Sequence, residues 1–364
     1  MTAGQSLVEE RVADASPAPD HQLPRHFPAL DGARGVAAMA VVVSHCANAG
    51  YFPRILGEGT GQMGVLLFFL LSGFLMAFLY GPRAFTREQV LRYATHRIAR
   101  VFPLFYLVIA LSLVVGAGGP IRFFDLSGGE WVWPVALVTG TSVLWTIPVE
   151  VQYYLVFVLI WAAAKRFPAG VWITAGLAAQ LLVLALLRLS VRGNQFLPYW
   201  FHAFFLGTIA GYLLHRHARA FLKATRAPGL QGLGWIILLL VPLSLPELRR
   251  MAGFPMLPNF IDPVTFGMPV LVFLAALGGL GPFRYLAWPV FTQLGAVSYA
   301  IYLLHKPVMW TLEPLLSGRV PDLALGLAIV ALSILMAAVS TYGFERPVQM
   351  ILNGYGARLS RRFA

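Results

Sequence analysis

Cysteine is nearly missing: Cys46 is the only one in 364 residues, which excludes an internal disulfide framework. Charge is scarce as well. Charged residues make up 12% of the chain and hydrophobic ones 58%, where an ordinary soluble domain carries about 25% charged, and the mean hydropathy is +0.72. These figures exclude a water-soluble enzyme and predict an all-α integral membrane protein. Acid is scarcer than base, 15 Asp and Glu against 27 Lys and Arg. The basic residues fall in short clusters between apolar runs, which is how a membrane protein fixes its orientation, so no nucleic-acid partner is expected. No group of His, Cys and carboxylates has metal-site spacing, and no metal is expected. The chain has no solenoid-period repeat and no second soluble domain.

Residues 1–28 are polar and rich in Pro, Ala and Asp, without the apolar core of a cleavable signal peptide, and read as a disordered cytoplasmic tail. Residues 29–350 form the transmembrane domain and 351–364 a basic cytoplasmic tail. About ten transmembrane helices in one bundle are expected, near 32–49, 61–80, 97–117, 143–164, 169–188, 196–214, 230–246, 264–281, 293–312 and 321–342. Pro242 and Pro246 interrupt the seventh, and Trp131–Thr139 is too short to cross and reads as re-entrant. With the N-terminus inside, nineteen of the 27 Lys and Arg fall on the cytoplasmic side, which places both termini there.

Polar groups inside the apolar runs carry the information, because a charge in hydrocarbon costs several kcal/mol unless it faces the bundle interior or a wet cavity. In LDGARGVAAMAVVVSHCAN, Arg34 and His45 stand at the two ends of the first run, roughly 16 Å apart along a helix. His45, Glu150 and His305 lie at similar depth. Either they line one cavity or each is satisfied separately by its own helix and neighbours. Arg97 and Arg100, in HRIARVFP, share a helix face. With Arg34 and the Arg346 of FERP they mark the cytoplasmic ends of their spans. Guanidinium forks suit bidentate phosphate contacts, so these arginines either grip a phosphate-rich ligand or simply anchor the helices at the interface.

The sequence resembles a known family, the membrane-bound acyltransferases of acyltransferase family three, which O-acylate bacterial glycans and some small molecules. The resemblance is carried, in order from Leu30 to Pro347, by LDGARGVAAMAVVVSH, FFLLSGFLM, HRIARVFPLFYL, LWTIPVEVQYYL, LGAVSYAIYLLHKPV and FERP. It implies His45 as the central catalytic residue, Glu150, at the acidic position of the family's tryptophan-to-glutamate motif, as a second catalytic residue that orients His45 or holds the acceptor sugar, and Arg34, Arg97, Arg100 and Arg346 on the acyl donor. Asp31, His305 and Glu345 are expected in support. Two departures stand out. Val151 occupies a position where many members have a second acid, and Lys306 one where an aromatic or apolar residue is common.

The implied function is transfer of an acetyl group from cytoplasmic acetyl-CoA, a co-substrate rather than a tightly bound cofactor, to a hydroxyl of a cell-surface or exported glycan, at the bacterial inner membrane. Such chemistry needs a base for the hydroxyl, donors for the oxyanion and a held donor. Tailoring of a small molecule such as a macrolide, or transfer of succinyl, keeps the same fold. A secondary transporter shares the multi-span, proline-interrupted signature, though without visible internal symmetry here. Cys46 adjoins His45 but neighbouring positions do not face one another on a helix. Ser72 and Gly73 read as packing residues, His215 and His217 as solvated, and Trp131, Trp133 and Trp145 as interfacial or sugar-stacking. Pro148 is expected to kink the entrance to its helix.

Overall fold

The computed structural model describes residues 26–186, 195–257 and 261–360. Most of the N-terminal tail, with Arg11 and Arg25, the end of the fifth expected span, and Arg361 and Arg362 lie outside the described residues. The described residues are all-helical and contain no strand. Ten long helices follow one another: α1 Pro28–Asn48, α2 Thr60–Tyr80, α3 Arg87–Val115, α4 Thr146–Arg166, α5 Ala169–Leu186, α6 Leu197–Arg216, α7 Pro228–Leu243, α8 Pro263–Gly278, α9 Pro289–Leu316 and α10 Asp322–Ser340. An eleventh, α11 Arg346–Ser360, continues α10 through a five-residue π-helix, Thr341–Glu345.

Helix starts follow local chemistry. Proline sits in the first two positions of α1, α6, α7, α8 and α9, where its missing N–H has no helical partner to lose. The Thr86 hydroxyl caps α3 by accepting from Gln89 N at 3.3 Å, and the Asp262 carboxylate caps α8 by accepting from Thr265 N at 2.8 Å. Pro148 falls in the first turn of α4, where a proline is tolerated. The segment around Trp131 forms only a one-turn helix, Val132–Val135, with both tryptophans exposed.

Each expected span corresponds to one of the ten helices, but the count of ten crossings is not reached on length and apolarity. Six helices qualify, those that contain α2, α3, α4, α5, α6 and α10. The number rises to eight if two bent pairs each make one span. These are Ala218–Thr225 with α7, bent by 73°, and α8 with Gly281–Ala287, bent by 71°. The helices that fall short are α1 and α9, whose apolar character is diluted by Asp31, Arg34 and His45 in one and by His305, Lys306 and Glu313 in the other.

Glycines decide which helices touch. α1 and α9 run side by side in the same direction, so close that a Cβ on Gly35 would meet Gly295 N at 2.8 Å, and one on Gly295 would meet the Asp31 carbonyl at 2.0 Å. α2 and α6 are likewise parallel: a Cβ on Gly73 would meet the Phe204 carbonyl at 1.9 Å and one on Gly207 the Leu70 carbonyl at 2.0 Å. Only residues without a side chain allow backbones to approach this closely. Around the contacts lies an aromatic core of Phe69, Phe74, Phe204, Tyr153, Trp161 and Trp200, all buried.

Candidate active site

The α1–α9 contact sets the site. Ten residues beyond Gly35 and Gly295, just under three turns, come His45 and His305. Because the two helices are parallel, the rings arrive side by side, stacked with centroids 5.2 Å apart and planes at 29°. His305 is buried, and its Nδ1 lies 2.7 Å from the Tyr302 carbonyl and 3.2 Å from the Ile301 carbonyl. Carbonyls only accept, so the proton of the neutral ring is assigned to Nδ1. Nε2 then carries the lone pair, and it is buried without a hydrogen-bond partner. The neighbouring Lys306 is the cation whose field reaches both rings, and its Nζ rests 5.1 Å above the Trp310 ring. Cys46, beside His45 in sequence, is fully buried.

A cavity with ≈ 700 Å³ of empty volume lies between α1, α2, α3, α4 and α9. Arg34, Arg97, Arg100 and Glu150 all line it. The three intramembrane polar residues therefore divide: His45 pairs with His305, while Glu150 joins the arginines. The Glu150 Oε1 accepts from Ser72 Oγ at 2.6 Å and from the Tyr154 hydroxyl at 2.8 Å. Ser72 is thus a hydrogen-bonding partner as well as a packing residue. The Arg97 guanidinium sits 5.7, 5.8 and 5.9 Å from the rings of Tyr154, Tyr93 and Tyr80, a cation–π cage, with its Nε buried and unpaired. Three guanidinium groups share this cavity with one lining carboxylate, so it is an anion-seeking space.

Tyr302 joins the two halves. It lines the cavity, its ring lies 6.1 Å from that of His305, and Phe68 meets it edge-on at 6.0 Å. Its hydroxyl donates to the Val143 carbonyl at 3.1 Å, with the Thr146 hydroxyl also 3.1 Å away. The backbone that delivers Val143 is strained, since Leu137 (φ 57°) and Ser142 (φ 50°) both lie in the left-handed region that non-glycine residues rarely adopt. Gln152 of α4 pins the segment by donating to the carbonyls of Leu137 and Val138 at 3.2 and 3.0 Å. Strain held in this way is characteristic of functional sites.

The remaining expected residues lie around this line. Asp31 pairs with His26 and faces Arg34. Glu345, at the end of the π-helix, accepts from Ser340 Oγ and Thr341 Oγ1 at 3.0 Å each and faces Arg100 and Arg346. Arg346 itself lies 4.4 Å over the Tyr342 ring. His215 is exposed as expected, though its Nε2 also reaches the Phe78 carbonyl at 2.7 Å and its ring stacks on Phe78 at 4.6 Å. Ser72, Thr146, Tyr154, Tyr299 and Tyr302 were not candidates from the sequence. The signal that finds them is helical spacing: Tyr154 is one turn from Glu150, and Tyr299, Tyr302 and His305 follow at three-residue steps.

Acyltransferase MdmB of Streptomyces mycarofaciens is 23% identical over 380 residues, covering 90% of this chain and 92% of that protein. O-acetyltransferase PaAT-1 of Phomopsis amygdali is 26% identical over 382 residues, 80% of this chain and 73% of its own. Protein 2 in picA locus, of Rhizobium radiobacter, is 37% identical over a shorter stretch of 131 residues, 32% of this chain and 63% of that protein. No solved structure matches. A family model described as an acyltransferase domain matches residues 27–342, a range that holds the arginine cavity, Tyr302 and both stacked histidines, and the chain belongs to this acyltransferase family.

Proposed function

We propose that the chain is a multi-pass O-acyltransferase of the bacterial inner membrane, with both termini in the cytoplasm, that moves an acetyl group from cytoplasmic acetyl-CoA to a hydroxyl of a cell-surface or exported glycan. One observation carries this reading: Tyr302 lines the cavity that holds Arg34, Arg97, Arg100 and Glu150, and its ring lies 6.1 Å from His305, which stacks on His45. Arg34 and His45 are eleven residues apart, just over three turns, so they share a face and are separated by roughly 16 Å. A donor with phosphates at one end and a thioester at the far end of a long arm matches that polarity. The relative named as an O-acetyltransferase supports oxygen as the accepting atom.

In the reaction, the acceptor oxygen attacks the thioester carbonyl carbon. The new C–O bond forms as the C–S bond breaks, and the hydroxyl proton passes to His45 and then to the departing thiolate. The stack on His305 holds the imidazole in place. Lys306, whose field reaches both rings, supplies charge to the developing oxyanion. Arg34, Arg97, Arg100 and Arg346 hold the donor, with Asp31 and Glu345 supporting them, and Glu150, fixed by Ser72 and Tyr154, orients the guanidinium groups.

The test uses the purified full chain in lipid nanodiscs with radiolabelled acetyl-CoA, a polysaccharide acceptor and no ion gradient. Wild type is expected to transfer or slowly hydrolyse the acetyl group, and His45→Ala to lose at least 10²-fold in kcat with unchanged thermal unfolding. Transfer at the wild-type rate in that variant removes His45 from the mechanism. Inert protein that drives solute uptake under a gradient points to a transporter instead.

A further inference from the structure

The arginine cavity continues into a second basic cluster that the reaction above does not use. Tyr80, the last residue of α2, has two guanidinium groups at its ring, Arg97 at 5.9 Å and Arg83 at 4.9 Å. The Tyr80 hydroxyl is 2.8 Å from His96 Nδ1, and the fields of Arg83, Arg92 and Arg97 converge on both groups. Among the described residues, Arg92 pairs with the Glu88 carboxylate at 3.6 Å, and Arg83 donates to the neutral Gln89 at 3.4 Å. Nor is Arg83 a loose loop residue. Its carbonyl accepts from Trp161 Nε1 at 3.3 Å, and Lys165 Nζ donates to the Pro82 carbonyl at the same distance, so α4 holds the turn that presents it. The unpaired, buried Arg97 Nε marks the junction between this rim and the cavity.

We propose that Arg83, Arg92 and His96 form a rim site for a phosphate monoester, and that it takes the isolated ribose phosphate of the nucleotide donor while Arg34, Arg97 and Arg100 face its pyrophosphate. The inference rests on acetyl-CoA being the donor. A monoester carries a charge of about −1.5 to −2 at neutral pH, which suits a cluster with several cations and little counter-charge. Two basic centres, joined through the ring of Tyr80, match a ligand that has two separated phosphate groups. The same chemistry is offered by an anionic lipid headgroup at the bilayer surface, so the test separates the two sources.

Affinities of CoA and 3′-dephospho-CoA are measured by calorimetry on the full chain, in nanodiscs of phosphatidylcholine alone and with added phosphatidylglycerol. Wild type is expected to prefer CoA by about tenfold, the worth of one charge-assisted phosphate contact, in both lipids. Arg83→Gln is expected to lose that preference by weakening CoA alone, whereas Lys223→Gln, the same charge change on the short helix Ala218–Thr225, keeps it. Equal affinity for both nucleotides in wild type, or a preference that survives in Arg83→Gln, overturns the rim site and leaves the donor assignment standing. An Arg83→Gln effect of equal size on both nucleotides, present only with phosphatidylglycerol, overturns it in favour of a headgroup contact. Failure of wild type to bind either nucleotide overturns the donor assignment itself and the rim site with it.

Discussion

At the scale of single residues, Glu150 is the group whose surroundings matter most. Its carboxylate lines a cavity with three arginines and is held through one oxygen by Ser72 and Tyr154. Glu150→Gln keeps an oxygen for both hydroxyls and removes only the charge, leaving the guanidinium groups to repel one another. The variant is expected to unfold several degrees below wild type without donor, a loss of about 1–3 kcal/mol, and to recover more than wild type when CoA is added, because an anion binding only the folded state stabilises it. Thermal unfolding with and without CoA checks this, and an equal CoA-induced shift in both proteins refutes it. The charged members of the cavity were legible in the sequence, since an arginine or glutamate in an apolar run has to be explained. Ser72, Thr146 and the tyrosines were not, because a serine or tyrosine in such a run costs little and is common. Depth was read correctly only in part. Counting residues from a helix end put His45, Glu150 and His305 at similar depth, but it could not see that the two histidines stack on each other while Glu150 lines the cavity with Arg34.

At the scale of helices, the ten apolar runs correspond to ten helices, of which six to eight qualify as spans by length and apolarity. The difference arises because the two helices carrying the histidines are diluted by the polar residues that make them interesting. Which helices pair was hidden. It is set by glycines whose role appears only when a neighbour's backbone occupies the place of the missing side chain. Gly295→Ala puts a methyl group 2.0 Å from the Asp31 carbonyl, and a backbone atom cannot move aside as a side-chain end does. The helices must part, at a cost of about 1–3 kcal/mol, and the histidine rings with them. The expected result is a lowered melting temperature together with a fall in kcat. Gly343→Ala, where nothing lies within 4 Å, serves as the comparison and is expected to change neither. A Gly295→Ala protein with wild-type melting and kcat refutes the pairing as the determinant of the site.

At the scale of the whole molecule, the line from the arginines to the histidines predicts a path open to both sides of the bilayer, because buried polar depth is tolerated only where helices enclose a cavity. With Cys46 replaced by Ser, a His45→Cys variant is expected to react with a membrane-impermeant thiol reagent from the face opposite the arginines, and bound acetyl-CoA is expected to slow that reaction. Labelling from the arginine face alone places the acceptor inside the cell. The pairing of α1 with α9 has a further consequence, in the timing of biosynthesis. His45 and His305 are about 260 residues apart in the chain, so at roughly 5–20 residues per second the first waits on the order of 13–52 s for the second to leave the ribosome. Until then the groove along Gly32 and Gly35 stands open in the membrane beside a histidine without its partner. A chain halted before α9 inserts most of its helices and still lacks the stacked pair. Acyl transfer that depends on the pair therefore reports that synthesis has run nearly to its end.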